Sequence, residues 1–310
     1  MGTVRKRAVA VMALAGAVAL AGCAGGGGGG GGGGDRDEPE LGRVPKVMRP
    51  ADVPDLPMDR YLLDEKEIRA YTRAHAALSR RCMERFGMSW LTDAQALAAG
   101  SGTAADPARY FTLIDAGAAR LHGYGTPSGR GPQGRTSGSG YEPTDAERAV
   151  YDGRAKGVTD SAGRLLRKGG CAAEVEAGLL KGGARGAADP FTVGNEFDSL
   201  RAKVRQDSRV TGAFTEWSGC MKDKGFDYRT PLDAANDTDW KSGTVSDTAI
   251  AVAAADVACK QRHNTVGIWY AATEAHQKAW IDGKAEHFAA VLAGKKALVD
   301  RSLRVVQGAP

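Results

Sequence analysis

The chain has 310 residues, with 42 lysines and arginines against 37 aspartates and glutamates. Its formal net charge of +5 falls to +2 once the three basic residues of the first 22 positions are set aside. A nearly balanced chain without a dense basic cluster does not favour binding to nucleic acid. The length fits one large domain or two small ones. No apolar run beyond the N-terminal segment reaches the roughly 18 residues that a membrane helix needs.

The N-terminus has the three parts of a secretory signal. The basic residues 5–7 precede the apolar run 8–20, and Leu20-Ala21-Gly22-Cys23 supplies a small-residue cleavage site. Because this site ends on a cysteine, it resembles a bacterial lipobox, which predicts a signal peptide over 1–22 and a lipid on Cys23. The lipid would hold the protein on the outer face of the cell membrane. An ordinary signal peptide with a chance cysteine is the alternative.

The segment after Cys23 has the composition of a flexible linker. Ten consecutive glycines fill Gly25–Gly34, and polyglycine has the largest backbone entropy to lose on folding. The following Asp35–Pro57 is rich in proline and charge. We therefore predict a lipid-anchored, glycine-rich flexible tether over 23–57.

The body of the chain contains two similar helix ends. An amphipathic stripe over 64–86 predicts a first helix that ends at Gly87. The nine residues Cys82–Trp90 and the nine residues Cys220–Tyr228 share one pattern, which is Cys-Met, three variable residues, Gly, an apolar, a polar and an aromatic residue. We interpret this as an internal repeat. It divides the body into an N-terminal helical half, 58–190, and a C-terminal helical half, 191–310.

Four cysteines remain after Cys23, and an even number in an exported chain predicts two disulfides with three possible pairings. The repeat favours one bridge in each half. Cys82 would then pair with Cys171, and Cys220 with Cys259. The absence of a C-x-x-C pair in the sequence argues against a thioredoxin-like centre or a zinc ribbon.

The C-terminal part has the most regular helical pattern. Alanine-rich residues 246–263 predict one helix, and apolar residues seven apart predict a longer helical run up to Val306. No stretch shows the sustained alternation of a strand. The predicted fold is an all-α body of two related halves with two disulfides, ending in long antiparallel helices.

Few patterns in the sequence indicate chemistry. Gly129–Gly134 matches G-x-G-x-x-G, but it lies in a loop with no preceding strand, so no nucleotide cofactor is predicted. Cys259 and His263 could share a helix face, yet an exported cysteine with a partner more often forms a disulfide, so no metal is predicted. The familiar serine-hydrolase, zinc-protease and transpeptidase motifs are missing from the sequence. This favours a protein without enzymatic activity.

Three aromatic residues are predicted to follow helix ends and could contact a ligand. They are Trp90, Tyr228 and Trp240, whose amphipathic rings would suit sugars or peptides. Packing in the core is the alternative for each of them.

The paired Cys-Met-x-x-x-Gly motifs are accompanied by further characteristic stretches, which are Trp217–Met221, Gly225–Tyr228, Val257–Lys260 and Asn264–Trp269. With them the chain resembles a group of uncharacterised actinobacterial secreted proteins and lipoproteins, most densely over 208–305. The resemblance implies an exported, lipoprotein-like address and a shared set of four cysteines. It implies no particular activity.

These observations lead to three hypotheses. The leading one is a non-enzymatic cell-envelope lipoprotein that binds a cell-wall component or a membrane-protein partner. The second is an extracytoplasmic hydrolase that acts on glycan or peptide through carboxylates that leave no readable spacing. The third is a solute-binding lipoprotein, although such proteins usually have α/β lobes, which this sequence does not predict.

Overall fold

The computed structural model describes residues 38–98, 108–125, 140–180, 191, 193–240 and 245–308. The predicted signal peptide, Cys23, the polyglycine run and the G-x-G-x-x-G stretch lie outside these residues. The α-helices are α1 Glu65–Arg85, α2 Asp93–Ala98, α3 Ala108–Phe111, α4 Ala116–His122, α5 Asp145–Tyr151, α6 Gly170–Leu179, α7 Val193–Val204, α8 Ser208–Asp223, α9 Pro231–Ala235, α10 Asp247–His263, α11 Thr265–Asp282 and α12 Ala285–Val306.

The prediction of an all-α fold is confirmed. Over the described ranges, the only extended pairing is an isolated bridge between Thr159 and Leu165. None of the helices in this part of the chain combines the length and apolar character needed to cross a bilayer. The first helix begins and ends as its sequence predicts, because Asp64 accepts a hydrogen bond from the amide of Glu67 at its start and Gly87 follows its end.

The described helices form one compact unit that starts at Glu38. Helices from the two predicted halves pack directly on one another, since α1 lies along α12 and α4 lies along α10. Tyr61 packs on Phe288 and Glu67 pairs with Lys295, so α12 runs in the same direction as α1. The halves therefore share one core and do not form separate domains.

The long C-terminal helices are confirmed as α10, α11 and α12. Each of them packs more extensively on an earlier helix than on its neighbour in the chain: α10 on α4, α11 on α8 and α12 on α1. Asn264 links α10 to α11 in the left-handed conformation, and this sharp link turns the second helix away from the first.

Both disulfides connect the cysteines that the repeat indicates. Cys82 bonds to Cys171 across 89 residues, and Cys220 bonds to Cys259 across 39 residues. Their Cα–Cα distances are 5.7 and 5.8 Å. Because disulfides persist in oxidising compartments, the two bridges indicate an extracytoplasmic protein.

The two helix ends also share one backbone geometry. Gly87 and Gly225 have φ values of +70° and +86°, which glycine adopts without strain. Past each glycine the chain folds back on its helix, where Met88 donates its amide to the carbonyl of Met83 and Phe226 does the same to Met221, at 3.1 and 3.0 Å. The internal repeat is therefore a structural one.

The repeat continues beyond the nine residues that the sequence pattern covers. Two positions after each closing aromatic residue stands a threonine that caps the next short helix. Thr92 Oγ1 accepts the amide of Gln95, and Thr230 Oγ1 accepts the amide of Asp233. The side chain two residues before each cysteine also holds the returning chain, since Arg80 donates to the carbonyl of Leu91 and Ser218 to that of Tyr228.

The prediction of a flexible tether is wrong for residues 38–57. This segment packs against the C-terminal helices, and we call residues 38–58 the strap. Val47, Leu56 and Met58 are buried within it. The prolines and charges that suggested a linker instead fit an extended chain whose apolar residues point inward.

Polar side chains of the C-terminal helices bind the strap backbone. Asn264 accepts the amide of Val47 and donates to the carbonyl of Pro45, at 3.0 and 2.9 Å. Gln277 accepts the amide of Met58 at 3.0 Å. An extended segment cannot satisfy its own backbone groups, so these bonds replace water at the buried side of the strap.

We predict that Gly267→Ala destabilises the fold by about 2 kcal/mol, because the new Cβ would strike the carbonyl oxygen of Pro45 and displace the strap. Gly212→Ala is the matched control. It also places an alanine within a helix, but its Cβ meets nothing within 4 Å, so stability should stay equal or rise. Urea unfolding of both variants measures the difference, and equal stabilities would contradict the role given to the strap.

Candidate functional site

The predicted aromatic ligand contacts separate into two clusters. Trp90 stacks on Tyr151 with ring centroids 4.1 Å apart and meets Tyr141 edge-on at 6.3 Å. Tyr228 lies 6.3 Å from Trp240 in the second cluster. The structure thus brings Tyr228 and Trp240 together and leaves Trp90 elsewhere.

Trp240 is a core residue. It is 9 % exposed, donates its indole N–H to the carbonyl of Ala234 at 3.0 Å and stacks on Tyr124. Tyr228 is half-buried and donates to Asp237 at 2.8 Å. The packing alternative therefore describes Trp240, whereas ligand contact at Trp90 and Tyr228 stays a prediction.

Three of the described histidines lie against other polar or aromatic side chains. His276 and His287 pair with Asp207 and Glu196 at 3.0 and 2.7 Å. Burial lowers the pKa of His75, which lies against Tyr151. Since Cys259 is in a disulfide, a metal site with His263 does not form, and no group of three metal-ligating side chains occurs in the described ranges.

A buried ionic cluster surrounds Asp207 at the start of α8. Its carboxylate accepts from Nε of Arg209 at 2.8 Å, from Nη2 of Arg209 at 2.5 Å and from Nε2 of His276 at 3.0 Å. Burial alone would raise the pKa of Asp207, but these bonds outweigh it and hold the pKa at about 2. Ser208 stands beside this pair but donates its hydroxyl to Glu38, so the geometry is not that of a catalytic triad.

A second buried cluster lies beside the Cys220–Cys259 bridge. Lys260 donates to Asp256 at 2.8 Å, to the hydroxyl of Thr112 at 2.6 Å and to the carbonyl of Leu113 at 2.8 Å. Burial raises the pKa of Asp256 and lowers that of Lys260, and their mutual pairing opposes both shifts. With three acceptors, the ammonium is satisfied, and it fixes the loop before α4 to α10.

A further candidate is a cleft of about 250 Å³ beside the first disulfide. We call it the arginine cleft. Its lining residues come from the end of α1, the loop 158–169 and α6: Cys82, Arg85, Phe86, Asp160, Arg164, Leu165, Leu166, Arg167, Gly170 and Glu174.

The loop that forms one wall of the arginine cleft is held in a fixed shape. Asp160 accepts the amides of Ala162 and Arg164 at 3.0 and 2.9 Å and the side chain of Arg164 at 2.8 Å. These hydrogen bonds lower the pKa of Asp160 and keep it ionised. The amide of Ser161 also binds the carbonyl of Arg85, which fastens the loop to the end of α1.

Three guanidinium groups line this cleft. Arg85 donates to Glu174 at 2.6 Å and to the sulfur of Cys82 at 3.4 Å, and Arg164 is bound to Asp160. Arg167 forms no ion pair with any described residue. The Nε atom of Arg85 is buried and has no acceptor among the described residues. The cleft therefore offers hydrogen-bond donors and positive charge on a rigid frame.

Sequence reasoning missed this cleft because Arg85 and Arg164 are far apart in the chain and the contacts that join their segments, apart from the disulfide, leave no pattern in the sequence. A partial signal was present. The Cys82–Cys171 pairing places the end of α1 beside the arginines that precede Cys171. Without the loop geometry, however, nothing in the spacing indicates that these side chains converge.

The comparisons with known proteins give no family. The chain matches no protein-family model, and neither a curated protein nor a solved structure matches it. The function therefore has to be inferred from the residues and their arrangement.

We predict that Asp207→Asn lowers stability at pH 7 by about 3 kcal/mol, because it leaves Arg209 and His276 without their buried partner. The pKa of Asp207 falls on folding from 3.8 to about 2. The unfolded chain therefore takes up this proton first, and the carboxylate's contribution is complete above about pH 4 and lost as the pH falls through about 2.

The measurement is urea unfolding between pH 2 and 7. The wild type should lose about 2 kcal/mol more than Asp207→Asn between pH 4 and 2. Asp145→Asn is the control, because the side chain of Asp145 is fully exposed. Its stability should depend on pH as that of the wild type does. Parallel profiles of wild type and Asp207→Asn would contradict the assignment.

Proposed function

We propose that the protein is a lipid-anchored binding module of the cell envelope and that the arginine cleft is its recognition site. The observation that carries the proposal is the convergence of Arg85, Arg164 and Arg167 in one cleft on a disulfide-bridged frame. The lipobox-like sequence at Cys23 supports the anchor, and the two bridges support an exported location.

The composition of the cleft favours binding over catalysis. Among its described lining residues there is no histidine, serine or free thiol that could serve as a base or nucleophile. Its two carboxylates, Asp160 and Glu174, are both engaged by arginines. A pair of carboxylates used in glycan hydrolysis needs one member with a raised pKa, and hydrogen bonds instead lower the pKa of Asp160.

The fold also bears on the alternative of a solute-binding lipoprotein. Such proteins usually close two α/β lobes around their ligand, whereas the described helices here share one core. A rigid cleft at the edge of a helical body suits a group that projects from a larger partner. We therefore place the ligand on a wall component that the anchored protein can reach.

We expect that Cys23→Ser moves the protein from the membrane fraction to the soluble secreted fraction, because the thiol of Cys23 is the group that would carry the lipid. The measurement is fractionation of cells that express each form, combined with mass spectrometry of the mature N-terminus. The control is Ser101→Ala, an exchange outside the signal peptide. Another Cys→Ser exchange such as Cys82→Ser is unsuitable as a control, because it opens a disulfide. An unacylated N-terminus in the wild type would contradict the anchor.

Binding is tested separately with the unlipidated Cys23→Ser form and isolated cell walls. Co-sedimentation of protein without release of soluble fragments supports a binding module. Release of fragments would favour the hydrolase, and failure to sediment would contradict wall recognition.

A further inference from the structure

We propose that the arginine cleft binds a phosphodiester group. This inference rests on the proposed function and names the chemistry that the same site recognises. A phosphodiester carries a single negative charge and oxygen acceptors that match the planar fork of a guanidinium. Two sources of this group exist in an envelope, a polymer linked through phosphodiesters and the headgroup of a phospholipid.

The charge balance of the cleft selects a singly charged ligand. Three arginines line it, and two carboxylates neutralise Arg85 and Arg164, which leaves one positive charge. Arg167 carries that charge without a protein partner among the described residues. An anion with one negative charge would neutralise the cleft, whereas a dianion would also meet the repulsion of Asp160 and Glu174.

Unused donors supply the directional part of the site. The ion pairs of Arg85 and Arg164 occupy some of their N–H groups, and each guanidinium has five. The Nε atom of Arg85 is buried and has no acceptor in the described protein, so it is closed to a ligand as the cleft stands. The N–H groups of Arg167, which is exposed and has no partner among the described residues, are the donors that a ligand oxygen can reach.

An apolar edge of the cleft distinguishes an ester from a bare anion. Leu165 is 67 % exposed, and Phe86 and Leu166, which are half-buried, line the same cleft. Inorganic phosphate would leave this edge uncovered. The carbon atoms on either side of a phosphodiester would lie against it and remove apolar surface from water.

The test is calorimetric titration of the full mature chain, as the unlipidated Cys23→Ser form, with glycerophosphoglycerol as the diester probe. We expect saturable binding that weakens about tenfold in Arg167→Gln, the loss typical of one charge-assisted hydrogen bond. Arg164→Gln should weaken binding as well. Arg229→Gln is the matched control, because Arg229 is 91 % exposed and lies outside the cleft, and its affinity should equal that of the wild type.

Other ligands decide between the alternatives. Succinate and inorganic phosphate should bind more weakly than the diester, and equal binding of either would overturn the assignment to phosphodiesters. An equal loss in Arg229→Gln would also overturn it, because it would indicate attraction to overall charge. Arg167 makes no described bonds through its side chain, and unfolding of each variant in urea verifies that the fold is retained.

The source of the diester is distinguished with larger probes. Sedimentation with polyglycerol phosphate tests the polymer, and vesicles of phosphatidylglycerol against phosphatidylcholine test the lipid headgroup. Binding in either arm that depends on Arg167 supports the inference. If the diester fails to bind while the protein still sediments with cell walls, the phosphodiester assignment is wrong but the proposed binding function stands.

Discussion

The rest of the structure depends on burying helix α11 on nearly every side. Earlier helices cover part of it, and the strap covers another part with backbone that is only partly paired within the strap itself. Asn264 and Gln277 solve this problem by binding strap amides and carbonyls, while Gly267 lets the strap approach the helix closely. Residues far apart in the chain are thus joined at the centre of the fold, and the segment before the first helix becomes part of the core.

Much of the architecture could be predicted because it follows from local rules. The helix-ending pattern of Cys, Gly and an apolar residue specifies a geometry at any position in the chain, so its second occurrence revealed the repeat and the pairing of Cys82 with Cys171. The strap could not be predicted in this way. Its prolines and charges match a linker, and contacts with residues 170 or more positions away, such as the bond from Val47 to Asn264, hold it against the helices.

The arginine cleft was unpredictable for a related reason. Arg85 ends one helix, whereas Arg164 and Arg167 both belong to the loop before α6, so their convergence depends on the fold of the loop. Asp160 determines that fold by capping two amides and one guanidinium. No periodic pattern encodes such a loop. The aromatic ligand contacts were difficult to predict for a different reason. The sequence places Trp240 after a helix end but does not tell whether its ring faces solvent or the core, and in the structure it is buried.

The two copies of the repeat differ in what lies beside their disulfides. Cys171 lies in the first turn of α6, so the bridge to α1 has open space beside it that the loop 158–166 frames. Cys259 lies inside the long α10, whose preceding turns cover the corresponding space with buried apolar residues. The position that matches Arg85 in the second copy is Asp223, which is exposed and carries the opposite charge. The shared geometry therefore serves stability in both copies, and the arginine cleft lies beside the first copy.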